Sequence, residues 1–140
     1  MQTDQITYSS NDDEAAARAT TYEQNDPFPS IPRALLSSVE IDDYARVTGM
    51  LFPFFPKALK SASYEAHIGG SAISWDEKGK RIERTVKRGE QLVLEANSIV
   101  FVQVEPTFRL PDYMAIRFNL RITHVHRGLL LGTGPLVDPG

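Results

Sequence analysis

Residues 114–140 read MAIRFNLRITHVHRGLLLGTGPLVDPG, and the alternation at their start decides the fold class. Met114, Ile116, Phe118, Leu120 and Ile122 fall on one side of an extended chain, while Ala115, Arg117, Asn119 and Arg121 fall on the other. A period of two marks a half-buried strand, because successive side chains of a pleated backbone point to opposite faces. Thr123, His124, Val125, His126 and Arg127 break the alternation, and the break stops at Gly128. A single helical turn suits them, closed by a glycine that tolerates the left-handed backbone at a helix end. Apolar Leu129, Leu130 and Leu131 resume a strand. Gly132, Thr133, Gly134 and Pro135 then bend the chain, most simply as a hairpin or bulge, before Asp138.

The same reading extends upstream. Strands are predicted over residues 63–68, 72–75, 81–86, 92–95, 99–105 and 113–121, separated by Gly69-Gly70, the Asp76–Gly79 turn and Arg88-Gly89-Glu90. The run 99–105 is almost wholly apolar and is expected to be buried on both faces. Ahead of the strands, Ser37 or Ser38 can cap a short helix that places Val39, Tyr44 and Val47 on one side. Glu40, Asp42 and Asp43 come early in it, Arg46 comes late, and Gly49 can close it. Pro53 and Pro56 exclude regular helix or central strand from Leu51 to Pro56, so this segment is expected to be an extended aromatic clamp. The predicted class is mainly β, a barrel or sandwich with a short N-terminal helix.

Composition sets the outer bounds. With 140 residues, 41% hydrophobic and 24% charged, the chain is long enough for one cored domain. The net charge of -3 gives no global attraction to nucleic acid or to an anionic membrane surface. Any anion site must therefore be a local cluster. The absence of cysteine excludes disulfides, thiolate zinc sites and a cysteine nucleophile. No apolar run approaches the ~18 residues that span a bilayer, and Met1–Glu14 lacks the pattern of a signal peptide, so cytoplasm is the expected compartment. Residues 1–30 carry six acids (Asp4, Asp12, Asp13, Glu14, Glu23, Asp26) against one base, Arg18, and are expected to be a disordered acidic tail. Residues 31–60 would hold the helix and the Pro/Phe-rich clamp, and residues 61–140 the β domain.

Chemistry concentrates in the turn after the 113–121 strand. Arg121, His124, His126 and Arg127 gather cations beside a glycine, and exposed N–H groups of a helical turn would add to their attraction for a phosphate. Arg117 and Arg121 read equally as a solvated strand face, or Arg121 as the partner of an acid at an interface. His124 and His126 at x+2 spacing raise the question of a metal. With His67 remote, no cysteine and no nearby carboxylate pair, no metal site is assigned. Zinc-dependent nucleobase deaminases require a Pro-Cys-x-x-Cys element that a cysteine-free chain cannot supply. No phosphate-binding Gly-Lys-Ser/Thr loop, nucleophile elbow or dinucleotide fingerprint occurs.

The stretch RFNLRITHVHRGLLLGTGPLVDPG resembles the arginine-containing turn, Gly-Leu strand and Asp-Pro-Gly of the dCTP deaminase/dUTPase family. SASYEAHIGG resembles that family's first core strand, and VKRGEQLVLEANSIVFVQVEPTFRLPDYMAIRFN its Gly-Glu, strand, Leu-Pro and strand succession. The resemblance implies a distorted β-barrel of the dUTPase type, assembled as a homotrimer with nucleotide bound between subunits. It implies hydrolytic, zinc-independent deamination of dCTP to dUTP, or splitting of dUTP by a diphosphatase, or a catalytically silent nucleotide-binding or trimerising scaffold. By the same resemblance Arg121, Thr123, His126, Arg127 and Gly128 would form the nucleotide and phosphate site. Asp138 would be the catalytic carboxylate, orienting sugar or water, and Mg2+ would accompany the triphosphate. The chain departs from the family where Ile122 and Thr123 replace two serines of the turn. The deaminase's acid–base glutamate belongs to a strand after the Asp-Pro-Gly, so the chain is expected to be a fragment of a longer protein.

Overall fold

The computed structural model describes residues 6–132, 134 and 136–139. Two helices come first, α1 (Asp12–Tyr22) and α2 (Ser38–Thr48). The strands β1 (Leu51–Phe52), β2 (Leu59–Lys60), β3 (Ser63–Tyr64), β4 (His67–Trp75), β5 (Arg81–Val86), β6 (Phe101–Glu105), β7 (Thr107–Phe108) and β8 (Ile116–Arg117) follow. A one-turn helix α3 (Ile122–Val125) and β9 (Leu136–Val137) complete the order. The result is a small β-rich domain with few helices.

Helix α2 is written locally. The Ser37 side chain accepts from the Glu40 amide while the Glu40 carboxylate accepts from the Ser37 amide, a reciprocal capping box that satisfies two N-terminal donors. Donation by Ser37 also holds the Glu40 carboxyl below its ordinary range. Gly49 ends the helix at φ 66°, and its amide returns to the Ala45 carbonyl. The buried side, Tyr44 and Ala45, joins Met50 and Leu51 in the core, with Phe28, Phe54, Tyr64 and Phe108 packed around them. Tyr44 meets the Phe28 ring edge-on at 4.9 Å and donates to Asp26 at 2.9 Å. Burial, followed by the Asp26 carboxylate, pushes its phenol pKa well up.

The predicted disorder of residues 1–30 is corrected over residues 6–30. Asn11 caps α1, and Ala15 is 0% exposed because it seats against Gly49 of α2, where a Cβ would lie 2.5 Å from the Ala15 carbonyl oxygen. Arg18 donates to the Arg46 carbonyl at 2.5 Å, one of the carbonyls at the end of α2 that lack an intrahelical partner. Tyr8 packs tilted against the Phe54 ring at 5.1 Å and donates to Asp42 at 2.5 Å; burial and this bond raise its pKa to about 12. Asp12 pairs with Arg109 at 2.7 Å across 97 positions. Composition misleads here because the segment packs through Ala15, the Tyr8 and Phe28 rings and several charge-assisted hydrogen bonds rather than through large aliphatic side chains. Residues 1–5 lie outside the described residues.

The Leu51–Pro56 segment packs on the core as expected. Leu51 is buried, β1 pairs antiparallel with β7, and Phe54 stacks on Tyr64 at 5.2 Å. The main sheet has the order β5-β4-β6, both pairings antiparallel, with an irregularity between Ile68 and Ala72 where Gly69 and Gly70 sit. Three two-stranded ladders (β1-β7, β2-β3, β8-β9) make up the rest among the described residues.

Several strand expectations need correction. Residues 92–95 form no strand: Val93 is exposed, and the following turn is closed by Ser98 on the Glu95 carbonyl. The 99–105 run is not buried on both faces, since β6 is an edge strand and Phe101 is 55% exposed. Of 113–121 only Ile116 and Arg117 pair, with Val137 and Leu136. Leu129–Leu131 form no strand either. The bend at 132–135 includes Thr133 and Pro135, which lie outside the described residues. Among the described residues no helix is long and apolar enough to cross a membrane.

Candidate functional site

The turn after β8 is built as its sequence suggests. Arg121 precedes the four-residue helix α3, and Gly128 ends the turn at φ 84°. The Gly128 amide donates to the Val125 carbonyl at 2.9 Å and the Leu129 amide to the His124 carbonyl at 3.2 Å. This nested pair is a Schellman closure, which needs the left-handed glycine. It also has a cost for anion binding. The amides of His124, Val125, His126, Arg127, Gly128 and Leu129 all donate inside the turn, so most of the expected amide cradle is already used.

What the turn offers is cationic side chains. Arg121, Thr123, His126 and Arg127 are exposed and His124 is half-buried. Arg121, 64% exposed, lies 3.6 Å from the Glu65 carboxylate, so the acid it pairs with comes from the loop after β3 of the same chain. At this exposure the pair stabilises the fold by at most about 1 kcal/mol, and a phosphate can displace it. Among the described residues His124, His126 and Arg127 form no ion pair.

Asp138 is exposed. Ile116 faces Val137 and Arg117 faces Leu136, so the antiparallel ladder leads Asp138 toward the Ala115 side of β8. Among the described residues no group of three or more His, Cys, Asp or Glu side chains gathers as a metal cage. Asp138 is the one acidic side chain in 114–140, and residues 121–128 themselves offer no carboxylate to a divalent cation.

A second polar concavity was not anticipated. An open groove of about 360 Å3 is lined by Gly69, Gly70, Lys87, Arg88, Gln103 and Glu105, among others. The Lys87–Glu90 turn is closed by the Glu90 amide on the Lys87 carbonyl at 3.0 Å, with Gly89 at φ 82°. Arg88, next in that turn, lays its guanidinium 3.8 Å above the Phe55 ring. Gly70 has φ 100°, and a Cβ there would run into the Gln103 side chain; one on Gly69 would come within 3.2 Å of Glu105 Oε2. The sequence carried one signal of this place: two glycines in succession within a strand mark a bulge and a close approach.

No family model, no curated protein and no solved structure matches the chain. Its function must be read from residues and geometry.

Proposed function

We propose that this chain is a nucleotide-handling domain of the dCTP deaminase-like type, serving hydrolytic, zinc-independent deamination of dCTP to dUTP. The observation that carries the reading is the closed turn 121–128, which sets Arg121 just before and His126 and Arg127 just after one short helix, all three exposed. A planar guanidinium can donate two parallel hydrogen bonds to paired oxygens of a phosphate chain. In the reading, Arg121 exchanges Glu65 for phosphate, Arg127 and His126 add donors, and Thr123 supplies a hydroxyl. Asp138 orients the sugar side.

In this reading the site is completed between copies, as the resemblance to the family implies. A homotrimer of dUTPase-like distorted barrels, cytoplasmic and binding neither membrane nor nucleic acid, is the assembly proposed. Magnesium would reach the site on the triphosphate, where its charge screens the phosphate oxygens. Attack of water on C4 of cytosine needs a group that takes a proton from water and gives one to the departing ammonia. No residue of the 121–128 turn is assigned that task.

Calorimetric titration of the full-length protein with dCTP and with dUTP tests the proposal. Wild type should bind saturably, and Arg121→Ala should bind at least about tenfold more weakly, since a charge-assisted contact contributes ~1.5–3 kcal/mol. Its thermal unfolding should stay close to that of wild type. Equal affinities, or no binding by wild type, would refute the proposal and favour a catalytically silent scaffold.

A further inference from the structure

We propose that the groove between the Gly69-Gly70 bulge and the Lys87–Glu90 turn is a separate ligand site, taking a small phosphorylated hydroxy compound of sugar-phosphate size. Its volume of about 360 Å3 suits a small molecule. One part of the lining is cationic. Lys87 and Arg88 form no ion pair among the described residues, and the stack on Phe55 at 3.8 Å restrains Arg88 before any ligand arrives. A cation already restrained loses less freedom on binding an oxyanion.

The remaining lining sets the selectivity. Gln103 accepts from the Ser71 amide at 3.2 Å through Oε1, which leaves its NH2 group to donate. Glu105 places a carboxylate in the same groove. A bare anion is repelled there, whereas a ligand bringing a hydroxyl beside its phosphate satisfies that oxygen. The two glycines keep the space open, because a side chain at either position would meet Gln103 or Glu105.

The test is titration of the full-length protein with ribose 5-phosphate, inorganic phosphate and ribose, followed by calorimetry and by NMR shifts. Ribose 5-phosphate should bind saturably and about fivefold tighter than phosphate, the contribution of one hydrogen bond. Lys87→Gln should weaken it about tenfold. Arg88→Gln should do the same, and Lys87→Gln decides the matter if losing the Phe55 stack unfolds the Arg88 variant. Glu105→Gln should narrow the preference over bare phosphate, while Arg121→Ala should change nothing, which separates this groove from the 121–128 turn. No saturation at millimolar ligand, full affinity in Lys87→Gln, or loss of binding in Arg121→Ala would each overturn the proposal.

Discussion

Replacing Gly49 by alanine should separate α1 from α2. Gly49 sits at φ 66°, where a side chain costs about 1–2 kcal/mol through its clash with the following carbonyl. The added methyl would also lie 2.5 Å from the Ala15 carbonyl oxygen and 2.9 Å from its Cα, inside any tolerable contact. Both obstacles are backbone, so relief requires α1 to move as a body, and overpacking of this kind costs roughly 1–3 kcal/mol. The expected total is about 2–5 kcal/mol in urea unfolding followed by circular dichroism. A cycle isolates the docking part. In a variant lacking residues 1–25 the same substitution should cost only the left-handed penalty of about 1–2 kcal/mol. An identical cost with and without α1 would show that the helix does not rest on Gly49, and the packing described for Ala15 would be wrong.

Ser37→Ala removes one half of the α2 capping box and should cost about 1 kcal/mol of stability in the same assay. Glu14, whose carboxyl is held down to about 2 by the Ser10 amide and hydroxyl and by Arg18, binds its proton less readily folded than unfolded. Its contribution is therefore present above the unfolded value of 4.5 and is lost as pH falls from there toward 2, so Glu14→Gln should unfold less steeply across that window. A pH series of denaturation midpoints for the two proteins reads this directly; parallel curves would refute it.

What could be read from the sequence was what is local. Ser37, Glu40 and Gly49 specify α2 within thirteen positions, and Gly128 lets its own amide and that of Leu129 close the 121–128 turn on the Val125 and His124 carbonyls. What could not be read depends on partners far along the chain. Helix α1 carries little apolar surface, and its place follows from Ala15 meeting Gly49 and from Arg18 reaching the Arg46 carbonyl. The apolar run at 92–94 and the alternation at 114–122 suit strands, but neither supplies a pairing neighbour. The candidate site was legible as a cluster of cations; its internal amide bonds and the Glu65 partner were not. The groove beside Gly69 and Gly70 needed Arg88 and Glu105 brought together across seventeen positions.

The Asp12–Arg109 pair has a bearing on the order in which the protein assembles. It closes a loop of 97 positions, against 28 for the Arg18–Arg46 contact. Loop entropy grows as (3/2)RT ln n, so the longer closure costs roughly 1 kcal/mol more. The α1–α2 pair can dock once Gly49 has been synthesised, well before β6 and β7 exist. The Arg109 guanidinium would then meet a surface already formed and latch the segment after β7 onto it. Early helical docking followed by late latching makes the acidic N-terminal segment a template for the chain that comes after it.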